Sequence, residues 1–253
     1  MYGIDELDGF ADFFEEVHSA ATLQRIPATV ASSEFAPGQY EINLDHSEDA
    51  LAAADHCALL RNLIKRVAMR NGFRATFMPK PYPMLSGSGM HVHISLLNEE
   101  GQNVFTHESE LGSRDLRSAV GGLLATMYDA TAIFAPNLNA FRRYEPNTYV
   151  PVCKSWGFNN RSVACRIPVG DSKNRRIEHR LASADANPYL VLAAVLAGIH
   201  KGLVEKLDPG WPTATNACAE VDAKMPLDWN NAIERIRSSQ TLKEYLTEEV
   251  VEL

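Results

Sequence analysis

Two short stretches of this chain alternate strictly, apolar residues on one side and reactive ones on the other. In Met90-His91-Val92-His93-Ile94-Ser95 the imidazoles of His91 and His93 and the hydroxyl of Ser95 fall on one side, with Met90, Val92 and Ile94 on the other. In Arg176-Ile177-Glu178-His179-Arg180-Leu181 the side chains of Arg176, Glu178 and Arg180 share a face against Ile177, His179 and Leu181. A period of two suits an extended strand with one buried face and does not suit a helix, so each stretch predicts a strand whose open face carries chemistry.

Elsewhere the apolar spacing changes to threes and fours. Leu7, Phe10, Phe14, Val17 and Ala21 predict an amphipathic helix ending near Pro27, with a solvated acidic face. Strand-like segments follow from Thr29 to Leu44 around Pro37-Gly38, and Ser47 precedes a helical run to Asn71-Gly72. Arg74 to Met78, His91 to Leu96 and a turn at Asn98 to Gln102 suggest a strand pair or meander, and a third helix is expected from Ser113 to about Phe134. The stretch after Pro136 has little periodicity and many Asn, Arg and aromatic residues, which reads as a functional loop. Ser162 to Val169 and Arg175 to Ala182 predict strands joined by a turn at Gly170 to Asn174. Asn187-Pro188 opens another helix, and the tail from Asp228 to Leu253 is helical again with Ser239 as a cap. The economical architecture is α+β, helices packed on a largely antiparallel sheet, with residues 1–253 read as one domain.

The charge balance, 24 Lys+Arg against 32 Asp+Glu for a formal −8, repels a phosphate backbone and argues against nucleic acid as a partner. With that balance, any basic site is local. Cys57, Cys153, Cys165 and Cys218 show neither metal-binding spacing nor the density of a disulfide scaffold, so free thiols in a reducing compartment are expected. The acidic first thirty residues carry no apolar leader core, and no uninterrupted apolar run reaches the roughly 18 residues of a membrane span. A cytoplasmic chain with no membrane partner is the expectation.

Three clusters could carry a reaction. If Pro37-Gly38 forms a two-residue hairpin tip, Glu34 stands opposite Glu41, and like charges so placed call for a hard cation such as Mg²⁺ or Mn²⁺. Taken alone, that segment is better explained by two unrelated surface glutamates. The Ser86-Gly87-Ser88-Gly89 run before His91 allows close backbone approach to an anion, although a His-x-His alone is more often an exposed pair. Glu178 between Arg176 and Arg180 should stay ionised, whether in a site or in a structural ion-pair ladder. Arg142, Arg143, Arg161 and Arg166 gather in or beside the irregular segment, which in a −8 chain points to an anion site. Carboxylates, imidazoles and arginines together describe phosphoryl transfer, and the absence of G-x-x-x-x-G-K-[ST] excludes a P-loop enzyme.

Taken in order, Glu34-Phe-Ala-Pro-Gly-Gln-Tyr-Glu41, Phe77-Met-Pro-Lys-Pro81, Gly87-Ser-Gly-Met-His-Val-His93, Asn160-Arg-Ser162, Arg166-Ile-Pro168, Arg176-Ile-Glu-His-Arg180 and Asn187-Pro-Tyr189 resemble the catalytic domain of the glutamine synthetase family. The resemblance implies helices on a curved, largely antiparallel sheet and a ligase in which ATP phosphorylates the γ-carboxylate of glutamate before an amine displaces phosphate. It implies Glu34 and Glu41 as ligands of one Mg²⁺ or Mn²⁺ ion, and His91 and Glu178 as ligands of another, with two or more ions per complete site. His93, Ser95, Arg176 and Lys173 match nucleotide contacts, Lys173 in a turn one residue shorter than in the familiar enzymes. Gly87, Arg143 and Arg180 match glutamate-binding positions. Arg161 and Arg166 match residues that hold phosphates and stabilise the moving charge, Arg161 also bordering glutamate. A homo-oligomeric ring, a dodecamer, is also implied.

Departures from the family pattern refine this expectation. Tyr149 stands where ammonia-using members carry a glutamate that attracts ammonium, and Ser86 replaces an asparagine. With Ser155-Trp-Gly157 and the run from Ser183 to Tyr189, the pattern resembles the branch that uses putrescine or a related amine. Tyr149 and Trp156 are then candidates to face the amine through cation–π contact. A glutamine synthetase drawing its ammonium carboxylate from elsewhere, and a non-catalytic assembly module, are the alternatives. The family's N-terminal β-grasp-like domain and Glu-x-Glu strand have no counterpart in these residues, so the expectation for the 253-residue chain alone is weak metal binding and little or no turnover.

Overall fold

The computed structural model describes residues 7–106 and 111–252 and divides the chain into two compact units. One unit holds the residues up to Met78 together with Tyr82–Ser86, and the other holds Pro79–Pro81 and the chain from Gly87 onward. Asp5 and Glu6 of the acidic N-terminal stretch, and Leu253 at the end of the helical tail, lie outside the described residues.

In the first unit α1 (Ala11–Leu23) buries Phe13, Val17 and Ala21, and α2 (Ala50–Arg70) answers with Leu60, Leu63, Ile64, Val67 and Ala68. The spacing of both sets is helical, which is why the two stripes meet. Edge-to-face contacts of Phe10 with Tyr40 and Phe73 close the cluster, at centroid distances of 5.5 and 5.4 Å. The cap of α2 is Asp49, whose carboxylate accepts from the N–H groups of Leu51 and Ala52, while Ser47 is one step further out with its hydroxyl accepting from the Asp49 N–H.

Strands β1 (Ala28–Ser33) and β2 (Tyr40–Leu44) form an antiparallel hairpin. Pro37 and Gly38 do make its turn, with the Gln39 N–H donating to Ala36 O and Gly38 at φ +68°. That is the geometry of a type II turn, which does not match the twist of paired strands. Two further residues, Phe35 and Ala36, are therefore taken into the loop, and the register slips from the expected one. Ser32 faces Glu41, and Glu34 donates its N–H to Gln39 O, so Glu34 and Glu41 are diagonal neighbours on one face and not directly opposed.

The second unit is built on a four-stranded sheet in the order β3 (Val92–Ile94), β6 (Ile177–His179), β5 (Cys165–Ile167), β4 (Trp156–Phe158). Two of its pairings are antiparallel and β4 with β5 is parallel, so the sheet is largely antiparallel as expected, with β4 an unforeseen edge. Arg74 to Met78 is not a strand. Ile177, His179 and Leu181 are buried, with α3 (Arg114–Thr126) and α6 (Pro188–Glu205) in the same core.

The expected helix from Ser113 to Phe134 starts where predicted, Ser113 capping the Leu116 N–H, but is broken between α3 and α4 (Thr131–Phe134). Thr126 and Thr131 turn their hydroxyls back onto the carbonyls of Gly122 and Met127, a competing bond that bends helices. A side chain at Gly122 would put its Cβ 2.0 Å from Gly198 O, so α3 and α6 touch backbone to backbone. This close seat explains why α6, apolar enough by length and composition to cross a membrane, is a core helix here. Further α-helices among the described residues are α5 (Leu138–Phe141), α7 (Trp229–Ser238), α8 (Gln240–Leu246) and α9 (Glu248–Glu252), with Ser239 capping α8 as expected.

Candidate active site

Glu178 sits at the centre of β6, paired across the sheet with His93 on one side and Arg166 on the other. Alternation puts these three and Arg180 on the same face, and their side chains converge. Arg180 Nη1 donates to Glu178 Oε1 at 2.5 Å and Arg166 Nη1 to Oε2 at 2.7 Å, while His91 Nδ1 lies 3.2 Å from Oε1. Glu178 is only 2% exposed. Burial alone would raise its pKa, but the fixed charges of Arg180 first and Arg166 hold the carboxyl below the usual range, so it is ionised.

The same crowd of cations acts on the imidazoles. His91 is pushed down to about 3 by desolvation first and by Arg180 next, against the pull of Glu178, although a third of its side chain stays open. It is therefore a neutral imidazole at physiological pH. His93 is lowered as well, chiefly by desolvation. Arg176 Nε donates to His93 Nδ1 at 3.0 Å, which fixes the imidazole as the Nε2–H tautomer. Ser95 follows on the same open face.

Arg143 lies against the Gly-Ser-Gly run. A Cβ at Gly87 would come within 2.6 Å of Pro79 O and 2.8 Å of Arg143 Cγ, so that position requires the absence of a side chain, and one at Gly89 would lie 2.8 Å from Arg143 Nη2. Arg143 Nη1 donates to Leu181 O at 3.2 Å. Arg143, Arg166 and Arg180 each keep a buried Nε with no hydrogen-bond partner. Buried guanidinium groups left with unused donors suit a bound anion.

Arg161 and Tyr149 are both exposed and line one cavity of about 300 Å³ with Asn160, Ser162, Ala214, Thr215 and Asn216. Its walls are pinned, Asn160 Nδ2 donating to the carbonyls of Thr213 and Thr215 and Asn216 Nδ2 to Asn147 Oδ1. Trp156 is not in that wall. Its ring is 1% exposed in the core, with Nε1–H donated to Gly210 O and Phe158 against it, because strand pairing with Cys165 turns it inward. The expectation that Trp156 faces an amine is corrected accordingly. Lys173 is exposed on the turn before β6 and joins no hydrogen bond of the central cluster through its side chain.

Sequence reasoning passed over Asn159, whose Oδ1 accepts from Arg166 Nη2 at 2.9 Å, although it adjoins the Asn160-Arg-Ser162 motif. It also passed over Asp185, which accepts from Ser183 and Asn137 side chains. Among the described residues no three His, Cys, Asp or Glu side chains converge on one point. The His91 nitrogen and Glu178 oxygen are donors of the right type for one shared divalent ion, and they form a partial set. Glu34 and Glu41 are oxygen donors on one face of the hairpin in the other unit.

The model of the glutamine synthetase catalytic domain matches residues 1–253. The chain belongs to the glutamine synthetase family. It is 42% identical over 248 residues to gamma-glutamylputrescine synthetase PuuA of Escherichia coli K12, covering 98% of this chain and 52% of that protein. It is 38% identical over 213 residues to the glutamate–isopropylamine ligase of a Pseudomonas species, covering 82% of this chain and 45% of the other. The solved structure of a GmaS/ADP complex superposes with a TM-score of 0.89 at 32% identity, over 99% of this chain and 60% of that one. The chain thus spans about half the length of the curated relatives it matches. The α+β architecture is that of these glutamine-synthetase-like folds.

Proposed function

We propose that this chain carries the glutamate- and phosphate-binding part of an ATP-dependent ligase that joins the γ-carboxylate of glutamate to an amine larger than ammonia, putrescine or a related polyamine being favoured. The observation that carries the reading is the convergence of Arg166 and Arg180 on one buried, ionised glutamate, with the buried Arg143 seated against Gly87 and Gly89. Names of relatives agree in class, since one is a gamma-glutamylputrescine synthetase and another a glutamate–isopropylamine ligase.

In the proposed reaction a γ-carboxylate oxygen of glutamate attacks the terminal phosphorus of ATP and ADP departs. The amine nitrogen then attacks the acyl carbon, phosphate leaves with that oxygen, and the nitrogen loses a proton. Arg143, beneath Gly87, and Arg180 bind glutamate carboxylate. Arg161 and Arg166 hold the phosphates and offset the negative charge that develops as the group moves. His93, kept neutral with a donor at Nε2, and Ser95, Arg176 and Lys173 face the nucleotide. His91 with Glu178, and Glu34 with Glu41, would hold Mg²⁺ or Mn²⁺, which when bound neutralises phosphate charge. Tyr149 replaces a fixed charge with a neutral ring on the Arg161 cavity and so favours an alkylamine.

The test is ADP release by the protein carrying this chain, with L-glutamate and either putrescine or ammonia. Turnover with putrescine above ammonia supports the reading. Preference for ammonia transfers the chain to glutamine synthesis, and glutamate-independent release removes the ligase assignment.

A further inference from the structure

The Phe77-Met-Pro-Lys-Pro81 motif has no part in the chemistry above, yet Lys80 is held from several directions. Its side chain is 5% exposed. Its backbone N–H donates to Asn139 Oδ1 at 2.8 Å, and its carbonyl accepts from Asn139 Nδ2 at 3.0 Å, so one side-chain amide clasps both peptide groups. Its ammonium lies 3.7 Å from Glu145 Oε2. Asn139 belongs to α5 just before Arg143, and Glu145 follows just after it, so the two partners of Lys80 bracket that arginine.

The bracketed segment has little regular structure of its own. Its local bonds run from Arg143 N–H to Ala140 O, Glu145 N–H to Arg143 O, and the Thr148 hydroxyl to the carbonyls of Arg143 and Glu145, and its longer-range ones from Arg143 Nη1 and the Tyr144 hydroxyl to Leu181 O and from Asn147 N–H to Cys218 O. Asn147 and Tyr149 sit at φ +60° and +57°, a left-handed geometry that persists only where surrounding structure imposes it. The residue before Lys80 reaches the other side of the same arginine. Pro79 O accepts the Ser88 N–H at 2.7 Å and is the atom a Cβ at Gly87 would meet at 2.6 Å, while Gly87 and Gly89 pack on Arg143. Pro79-Lys80 thus grips the glycine run through one peptide and the arginine segment through the next.

We propose that Lys80 is a positioning residue, clasped by Asn139 and latched to Glu145, that holds the Arg143 segment against Gly87 and so sets the affinity for the carboxylate of an amino-acid substrate. The inference rests on the reading of Arg143 as a glutamate binder. A half-exposed ion pair contributes little to global stability, so the latch acts on local geometry more than on folding.

The experiment compares Lys80→Met, Glu145→Gln, their double variant and Lys80→Arg by calorimetric titration with L-glutamate, ADP serving as control ligand. Hydrogen exchange over residues 139–149 is followed in parallel. Each single variant should raise the Kd for glutamate about five- to tenfold, the double no further, because coupled partners are not additive. Lys80→Arg should recover most of the affinity, ADP binding should stay at the wild-type value, and exchange in Lys80→Met should rise within 142–149. Wild-type glutamate affinity and exchange in Lys80→Met would overturn the proposal, as would multiplicative losses in the double variant or equal loss of ADP and glutamate binding. Should the unmodified protein bind no glutamate, the reading of Arg143 fails, and the exchange comparison alone still decides whether Lys80 latches the segment.

Discussion

Arg180, one residue beyond β6, and Glu178 within it are joined from Nη1 to Oε1 at 2.5 Å, while Arg180 Nε keeps no partner. The guanidinium is thus engaged through Nη1, while its buried Nε is left unsatisfied by the chain. Arg166 donates from Nη1 to the second oxygen at 2.7 Å and from Nη2 to Asn159 Oδ1 at 2.9 Å, its Nε also unpartnered. A carboxylate held in this way keeps two guanidinium groups side by side.

Replacing Glu178 by Gln would leave Arg166 and Arg180 buried without their counter-charge. The expected loss of stability is about 3–5 kcal/mol by urea denaturation, most of it restored in the double variant with Arg180→Met. A loss below about 1 kcal/mol would mean that solvent already reaches the cluster.

His179, on the opposite face of β6, is pushed down to about 4 by desolvation, with the Phe134 ring 4.6 Å away and Nδ1 unpartnered. Its folded value lies below the unfolded one near 6.5, so the unfolded chain takes up more protons between the two. Its contribution to stability is complete above about pH 6.5 and fades as pH falls towards about 4, by about 3 kcal/mol. The difference in stability between wild type and His179→Leu, measured with chelator present, should change by that amount over the window. Parallel curves would show that His179 already protonates in the folded state.

The alternation that made β3 and β6 legible is a local property with a long-range cause, one face buried in the core, so His91, His93 and Ser95 are readable as one face and Arg176, Glu178 and Arg180 as another, while their meeting depends on the pairing of the two strands. Loop register could not. A type II turn at Pro37-Gly38 takes two residues from the strand and makes Glu34 diagonal to Glu41. Trp156 was misread because an aromatic in an irregular stretch gives no period by which to assign a face, and only its pairing with Cys165 turns it inward. Arg143 was found by type and position, but its seat beneath Gly87 and Gly89 depends on contacts far apart in sequence.

Gly122→Ala places a methyl 2.0 Å from Gly198 O, where backbone rather than a movable side chain is met. Separation of α3 from α6 is expected to cost about 3 kcal/mol, the upper end for overpacking, visible as a lowered Tm. An unchanged Tm would show that the two helices slide freely.

Tyr149→Glu restores a fixed negative charge to the rim of the Arg161 cavity. In the protein carrying this chain it should shift the ratio of putrescine to ammonia turnover towards ammonia by about tenfold, equivalent to about 1.4 kcal/mol. An unchanged ratio removes Tyr149 from acceptor selection.

The central claim is that glutamate is activated as its γ-phosphate before the amine arrives. L-Glutamate labelled with ¹⁸O in the γ-carboxylate, turned over with ATP and putrescine, tests it in one mass spectrum of the released phosphate. The account predicts one labelled oxygen transferred to each phosphate formed. Phosphate emerging without label while the amide accumulates would contradict it.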